Sequence, residues 1–122
     1  LNRCGGIGLQ LLGLGSNGHV GFNEPPCPPD QQCHEVELTS ATRQQNAVLF
    51  DDCVEAVPQR AITLGLWEIL EAAEIHLVVT GAAKAGILKR LLDLTEPDPG
   101  LPASWLLTHP NVWLWCDAAA LA

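Results

Sequence analysis

Three apolar segments, separated by stretches of mixed polarity, dominate the hydrophobic pattern of the chain. Residues 7–14 (IGLQLLGL) contain one polar side chain, residues 75–80 (IHLVVT) are mostly apolar, and residues 112–116 (VWLWC) form the third segment. Short apolar runs of this kind are typical of strands that are covered on both faces within a parallel sheet. We therefore predict three buried core strands.

The segments between these strands show helical spacing. Thr39 or Ser40 is suited to cap a helix that runs to about Leu49, because either hydroxyl can accept a free N–H of the first turn. Further helices are predicted at residues 66–73, 82–94 and 102–107, and a short edge strand at 35–38. In the third helix the apolar face is formed by Ile87, Leu88, Leu91 and Leu92.

This alternation of strands and helices predicts the fold class. Strands joined by helical crossovers pair in parallel, with helices packed on the sheet. We predict an α/β fold with a largely parallel, three-layer α/β/α, Rossmann-like sheet that spans residues 1–122 as one domain. The segment GLGSNG at residues 13–18 lacks the third glycine of a dinucleotide-binding loop in register, so we do not assign one.

Polar side chains with acid–base chemistry are concentrated in the loop GSNGHVGFNEP, residues 15–25, directly after the first strand. His19, Glu24, Asn17 and Asn23 lie within eight residues, interleaved with glycines that permit sharp turns. Loops at the carboxyl ends of parallel strands are where open α/β sheets bind ligands. A carboxylate beside an imidazole can orient it and stabilise its protonated form, so His19 is a candidate general base.

The sequence motifs NGH and GFNEP in this loop resemble those of the glucosamine-6-phosphate deaminase (glucosamine/galactosamine-6-phosphate isomerase) family. The resemblance continues in order through VP.RA.TLG, VVTGAAKA, LPASWL..HPNV and the final CD, and so covers nearly the whole chain. It implies an enzyme that isomerises an amino-sugar phosphate and releases ammonia, giving fructose 6-phosphate. Members are about twice as long, so the resemblance implies the C-terminal portion of one deaminase-like domain, with an incomplete site.

The resemblance also implies roles for individual residues. His19 would take the anomeric proton to open the sugar ring, Glu24 would set the tautomer of His19, and Asn17 would fix the ring-opening geometry. Lys84 and Gly81, where the second strand enters a helix, would hold the phosphate, since free N–H groups there attract anions. An aspartate in the other half would move the proton between C2 and C1, and neither a metal nor an organic cofactor is implied.

A phosphate-binding position departs from the family pattern. The family usually places a phosphate-binding arginine after the words Asn46-Ala47, where this chain has Val48. Arg43 lies five residues earlier, which is about 140° away around a helix, so we expect that it cannot substitute directly.

Composition narrows the partners without identifying them. A net charge of −8 argues against nucleic acid, and no apolar run approaches the roughly 18 residues of a membrane span. No export signal is visible, so we interpret the five cysteines as reduced thiols of a cytoplasmic protein, mostly filling the core. A zinc site at Cys27, Cys33 and His34 matches no common ligand spacing, and we predict no metal.

Three functional hypotheses stay open. The first is the deaminase/isomerase with a sugar-phosphate substrate, either glucosamine or galactosamine phosphate, as a monomer or a homo-oligomer. The second is a 6-phosphogluconolactonase-like hydrolase, which the resemblance disfavours because that group typically has aspartate at the position of Asn17 and lacks the word FNEP. The third is a non-catalytic fragment, which Val48 and the half-length favour.

Overall fold

The centre of the structure is a parallel sheet of three strands. The structure, a computed structural model, describes residues Leu1–Ala122. Its strands are β1 (Leu9–Gly13), β2 (His34–Glu37), β3 (Arg60–Thr63), β4 (Glu74–Val79) and β5 (Val112–Cys116). The parallel sheet has the order β1–β4–β5, with Leu11 opposite His76 and His76 opposite Trp113. The predicted α/β class with a parallel sheet is confirmed.

The helices are short and several begin or continue as 3₁₀ turns. The α-helices are α1 (Ser40–Asn46), α2 (Leu66–Leu70), α3 (Ala85–Asp93) and α4 (Ala118–Leu121). The 3₁₀ segments are Asn2–Cys4, Ala47–Phe50, Val54–Ala56, Ala82–Lys84 and Pro102–Thr108. None of the helices combines the length and the apolar character that crossing a bilayer requires.

Local sequence signals account for two of the predicted element starts. The side chain of Thr39 accepts the backbone N–H of Thr42 and caps α1, as predicted. The helix predicted from residue 82 begins as a 3₁₀ turn and becomes α-helical at Ala85. Leu88 and Leu91 of α3 are buried as predicted, whereas Leu92 is exposed.

A second, smaller sheet carries the predicted edge strand. Strands β2 and β3 pair antiparallel, with His34 opposite Thr63 and Glu37 opposite Arg60. The end of β3 lies beside the loop after β1. Phe22 N of this loop donates to Thr63 Oγ1, in the last residue of β3, at 3.1 Å.

Only one face of the parallel sheet carries the core. On that face Leu12, Ile75, Leu77 and Val79 pack with buried residues of the helices and loops, among them Leu66, Ile69, Leu88, Leu91, Leu101 and Leu106. On the other face Leu9, Leu11, Trp113 and Trp115 are 53%, 63%, 53% and 55% exposed. The prediction that these strands are covered on both faces is therefore wrong within these residues, because no helix of this chain packs there.

The cysteines are all free, but most do not fill the core. Cys27 is buried, Cys116 is half-buried, and Cys4, Cys33 and Cys53 are exposed. Burial raises the pKa of the Cys27 thiol, and the nearby Asp30 carboxylate adds to this effect. The prediction that the cysteines mostly fill the core is wrong for three of the five.

Candidate active site

The loop after β1 folds back on itself through backbone hydrogen bonds. Gly15 N donates to His19 O at 2.9 Å, and Gly18 N donates to Gly15 O at 2.9 Å. Gly18 has φ 86°, which side chains rarely adopt, and its O accepts from Ala103 N at 2.9 Å. The loop is thereby closed and fixed to the segment that begins at Leu101.

Gly15 is required for a different reason, which is the space its missing side chain leaves. A Cβ atom at Gly15 would lie 2.2 Å from Cε1 and Nδ1 of His19. The imidazole therefore lies directly against the backbone of residue 15. This close approach fixes the ring on one side.

Asn23 anchors the other end of the loop and does not belong to the chemical group. It is 1% exposed, and its amide Nδ2 donates to Val20 O and Leu64 O, each at 2.9 Å. The bond to Val20 O closes the loop on itself, and the bond to Leu64 O holds it against the residue after β3. The sequence grouped Asn23 with the other polar side chains, but the structure gives it an anchoring position.

His19, Asn17 and Glu24 form one connected group at the carboxyl end of β1. His19 Nδ1 lies 2.7 Å from Asn17 Oδ1, and Asn17 Nδ2 donates to Glu24 Oε2. Glu24 Oε1 lies 3.6 Å from His19 Nδ1. The structure therefore brings together the three residues that the sequence predicted as catalytic.

This network determines the tautomer of neutral His19. Because a carboxylate only accepts hydrogen bonds, Glu24 turns the amide of Asn17 so that its NH₂ faces the carboxylate and its oxygen faces the imidazole. An amide oxygen also only accepts, so Nδ1 of His19 must carry the proton. The lone pair is then on Nε2, which makes no hydrogen bond within the chain and is not among the buried unpaired atoms.

Burial and the nearby charges together favour the neutral form of His19. The pKa of His19 lies below its usual value, because burial of the imidazole disfavours the charged form. The carboxylate of Glu24 acts in the opposite direction, and the ammonium of Lys84 lowers this pKa further. A neutral imidazole with a free lone pair is the form that can act as a general base.

Lys84 follows β4, the parallel neighbour of β1, so it lies at the same carboxyl edge of the sheet as the loop after β1. Lys84 ends the 3₁₀ turn that leads into α3 and is half-buried. The arrangement is therefore compatible with an anion held near the imidazole.

Gly81 has a partner that the sequence did not indicate. Its backbone N–H is directed at the carboxylate of Asp117, at 3.1 Å from Oδ1 and 3.2 Å from Oδ2. Asp117 also caps α4 by accepting Ala120 N at 2.8 Å. The predicted phosphate-binding role of Gly81 stays a prediction, and any anion there would meet a donor already bound to a carboxylate.

Arg43 does not replace the arginine expected at the position of Val48. Its Nη2 donates to Val54 O at 3.1 Å and to Val57 O at 3.0 Å. Val48 is 69% exposed. The guanidinium of Arg43 thus holds the 3₁₀ segment Val54–Ala56 against α1.

No cluster of three or more His, Cys, Asp or Glu side chains is arranged to hold a metal ion.

A cavity of about 260 Å³ lies beside Glu24, with Phe22 and His34 in its lining. A larger one of about 820 Å³ is lined by Ile7, Trp67 and Glu71 among others, and includes none of the predicted site residues.

The family model for glucosamine-6-phosphate isomerases and 6-phosphogluconolactonases matches residues 2–115. The chain belongs to this family. Its family relatives include the glucosamine-6-phosphate deaminases of Oceanobacillus iheyensis, 45% identical over 121 residues, and of Rhodopirellula baltica, 50% identical over 119 residues. These alignments cover 99% and 97% of this chain, but 48% and 46% of the relatives.

Solved structures of the family agree with this assignment. A monomeric glucosamine-6-phosphate deaminase superposes with a TM-score of 0.92 and 37% identity over 99% of this chain and 50% of its own. The 6-phosphogluconolactonase from Trypanosoma cruzi reaches a TM-score of 0.67 at 19% identity over 94% of this chain and 40% of its own, and shows the fold alone. The chain thus spans about half the length of the relatives it matches.

Proposed function

We propose that this chain supplies the ring-opening and phosphate-holding part of a glucosamine-6-phosphate deaminase, which converts glucosamine 6-phosphate and water to fructose 6-phosphate and ammonia. The observation that carries the proposal is the imidazole of His19, held as the Nδ1–H tautomer by Asn17 and Glu24. The names of the deaminase relatives support the choice of substrate. That the chain is the C-terminal portion of one domain, and cytoplasmic, stays a prediction.

Ring opening follows from the free lone pair of Nε2. In the proposed step, Nε2 of His19 accepts the proton of the anomeric hydroxyl while the bond between C1 and the ring oxygen O5 breaks. The imidazolium then returns this proton to O5, so that the open-chain aldehyde forms without a net change in protonation. The carboxylate of Glu24, 3.6 Å from Nδ1, stabilises the transient positive charge.

Isomerisation and ammonia release need groups beyond this chain. The proton on C2 moves to C1, O1 gains the proton that the amino nitrogen gives up, and the bond between C2 and nitrogen becomes an imine. Water then adds to C2 and ammonia leaves as the ketose forms. By resemblance, an aspartate in the other half of a family-length chain moves the C2 proton, so we propose that this chain holds only part of the site.

The phosphate is assigned to the start of α3. Lys84 supplies a full positive charge at the carboxyl edge of the sheet, where the loop of His19 also lies, and Gly81 begins the turn that leads into the helix. Positioning and proton transfer account for the chemistry, and these need no organic cofactor.

The test places the chain in a family-length protein. The matching segment of the Oceanobacillus iheyensis deaminase is replaced by residues 1–122, and ammonia release from glucosamine 6-phosphate is measured. We expect activity, and a loss of about 10²- to 10⁴-fold in His19→Gln. The same assay is applied to Glu24→Gln, which removes the charge beside His19. Its matched control is Glu35→Gln, because Glu35 is exposed and pairs with Arg60 at 2.8 Å on the small sheet.

The other hypotheses predict different results in the same assay. Hydrolysis of 6-phosphogluconolactone without ammonia release would support the lactonase alternative and contradict the proposal. Absence of both activities in a folded chimera would support the non-catalytic alternative.

A further inference from the structure

Glu24 is held at both of its oxygens by donors from different elements. Asn17 of the same loop donates to Oε2, and the hydroxyl of Thr42 donates to Oε1 at 3.0 Å. Thr42 is 3% exposed and lies in the first turn of α1, 18 residues further along the chain. The carboxylate therefore has a buried partner outside the catalytic loop.

The direction of the hydrogen bonds around Thr42 is determined. Thr39 Oγ1 lies 3.0 Å from Thr42 Oγ1, and each hydroxyl has one proton to donate. Because an ionised Glu24 can only accept, the proton of Thr42 is directed to Oε1, and Thr42 accepts from Thr39. This chain of hydroxyls polarises toward the carboxylate, and hydrogen bonds to charged acceptors are about twice as strong as neutral ones.

The support for this chain of hydroxyls is itself fixed. Thr39 accepts the backbone N–H of Thr42 at 3.1 Å, so the same hydroxyl caps the helix and orients Thr42. Arg43, the next residue, holds α1 to the carbonyls of Val54 and Val57. Hydrogen bonds thus connect the start of α1 both to the segment after it and, through Thr42, to the loop.

We infer that Thr42 is a positioning residue for the ring-opening base: its hydroxyl holds Glu24 where the carboxylate can orient Asn17 and stabilise protonated His19. This role rests on the proposed function of the loop. Without the hydroxyl, only Asn17 of the same loop holds the carboxylate of Glu24, whose side chain is 22% exposed and can then turn towards water. The imidazole then loses part of its stabilising negative charge.

The test is a titration of His19 by NMR in the 122-residue chain. The charged groups that act on this imidazole are Glu24 in its own loop and Lys84 before α3. In Thr42→Val, which keeps the shape of the side chain, we expect the titration midpoint of His19 to fall toward the value of Glu24→Gln. Thr42→Ser, which keeps the hydroxyl, should retain the wild-type midpoint.

Two controls separate positioning from folding. Thr108→Val removes an exposed hydroxyl that donates to Trp105 O and should leave the midpoint unchanged. Thr42→Ala, which only deletes atoms, is measured beside Thr42→Val, and thermal unfolding is followed for each variant. An unchanged midpoint in folded Thr42→Val would overturn the proposal. A midpoint in Thr42→Ser that is lowered as much as in Thr42→Val would overturn it as well. Unfolding of both the valine and the alanine variant would also overturn it, because the hydroxyl would then serve the fold.

An activity measurement distinguishes this inference from the proposed function. In the family-length chimera, Thr42→Val should lower kcat more than it changes KM, since the residue acts through Glu24 and not on the bound sugar. If the wild-type chimera releases no ammonia, the proposed function fails, while the titration still decides whether Thr42 positions Glu24.

Discussion

Replacing Gly15 with alanine tests whether the position of the His19 ring determines the chemistry of the loop. The added Cβ would lie 2.2 Å from Cε1 and Nδ1, against an ordinary contact of about 3.5 Å. The ring must therefore shift by about 1.3 Å, and we expect this shift to break the 2.7 Å hydrogen bond between Nδ1 and Asn17 Oδ1.

The expected magnitudes follow from this displacement. Forcing an extra carbon into a filled site costs about 1 to 3 kcal/mol of folding free energy. A misplacement of about 1 Å in a catalytic group costs on the order of 10²-fold in rate, so the chimera should lose that much kcat. The lost hydrogen bond also frees the tautomer of His19, which should appear in its nitrogen chemical shifts.

The assay combines chemical denaturation, ammonia release in the chimera and NMR of His19. Gly86→Ala is the matched control, because a Cβ at this exposed position in α3 meets nothing within 4 Å. A helical glycine replaced by alanine should gain about 1 kcal/mol of stability and leave the rate unchanged. Wild-type activity and an unchanged His19 spectrum in Gly15→Ala would show that the position of the His19 ring does not determine the chemistry of the loop.

Further predictions concern the charges around His19. Glu24→Gln should lower the His19 midpoint in an NMR titration, because the carboxylate raises the pKa of this residue; a higher midpoint would contradict the electrostatic assignment. Lys84→Ala should raise the midpoint and increase KM for glucosamine 6-phosphate in the chimera, whereas Lys89→Ala, whose ammonium is exposed and paired with Asp93, should do neither. Because the pKa of folded His19 lies below its unfolded value of about 6.5, the unfolded state binds more protons as the pH falls through this range. The free energy of unfolding should therefore be largest above about pH 6.5 and decline below it, by less in His19→Gln; equal slopes in both proteins would exclude this contribution.

Features that depend on short-range sequence could be predicted. The strand Val112–Cys116 has the predicted bounds, since its apolar residues lie between a proline-containing turn and an aspartate that caps α4. The cap of α1 at Thr39 depends on one hydroxyl and an N–H three residues later. The motifs NGH and GFNEP predicted that His19, Glu24 and Asn17 lie together, and they do, because all three belong to one loop.

Features that depend on distant partners could not be predicted. The apolar residues of β1 and β5 are typical of strands that are buried on both faces. Burial, however, depends on which elements pack on each face, and Leu11 and Trp113 are exposed. The bond from Gly81 to Asp117 joins residues 36 apart, and that from Thr42 to Glu24 joins residues 18 apart. No local pattern of residue types encodes such pairs.

The protonation of the two ring nitrogens of His19 decides whether this residue can be the ring-opening base. The measurement is the ¹⁵N chemical shift of Nδ1 and Nε2 in the 122-residue chain, at a pH above the titration midpoint. We expect a protonated Nδ1 and an unprotonated Nε2, because the amide oxygen of Asn17 can only accept. A proton on Nε2 would rule out the proposed role of His19, since the atom assigned to take the anomeric proton would have no lone pair to offer.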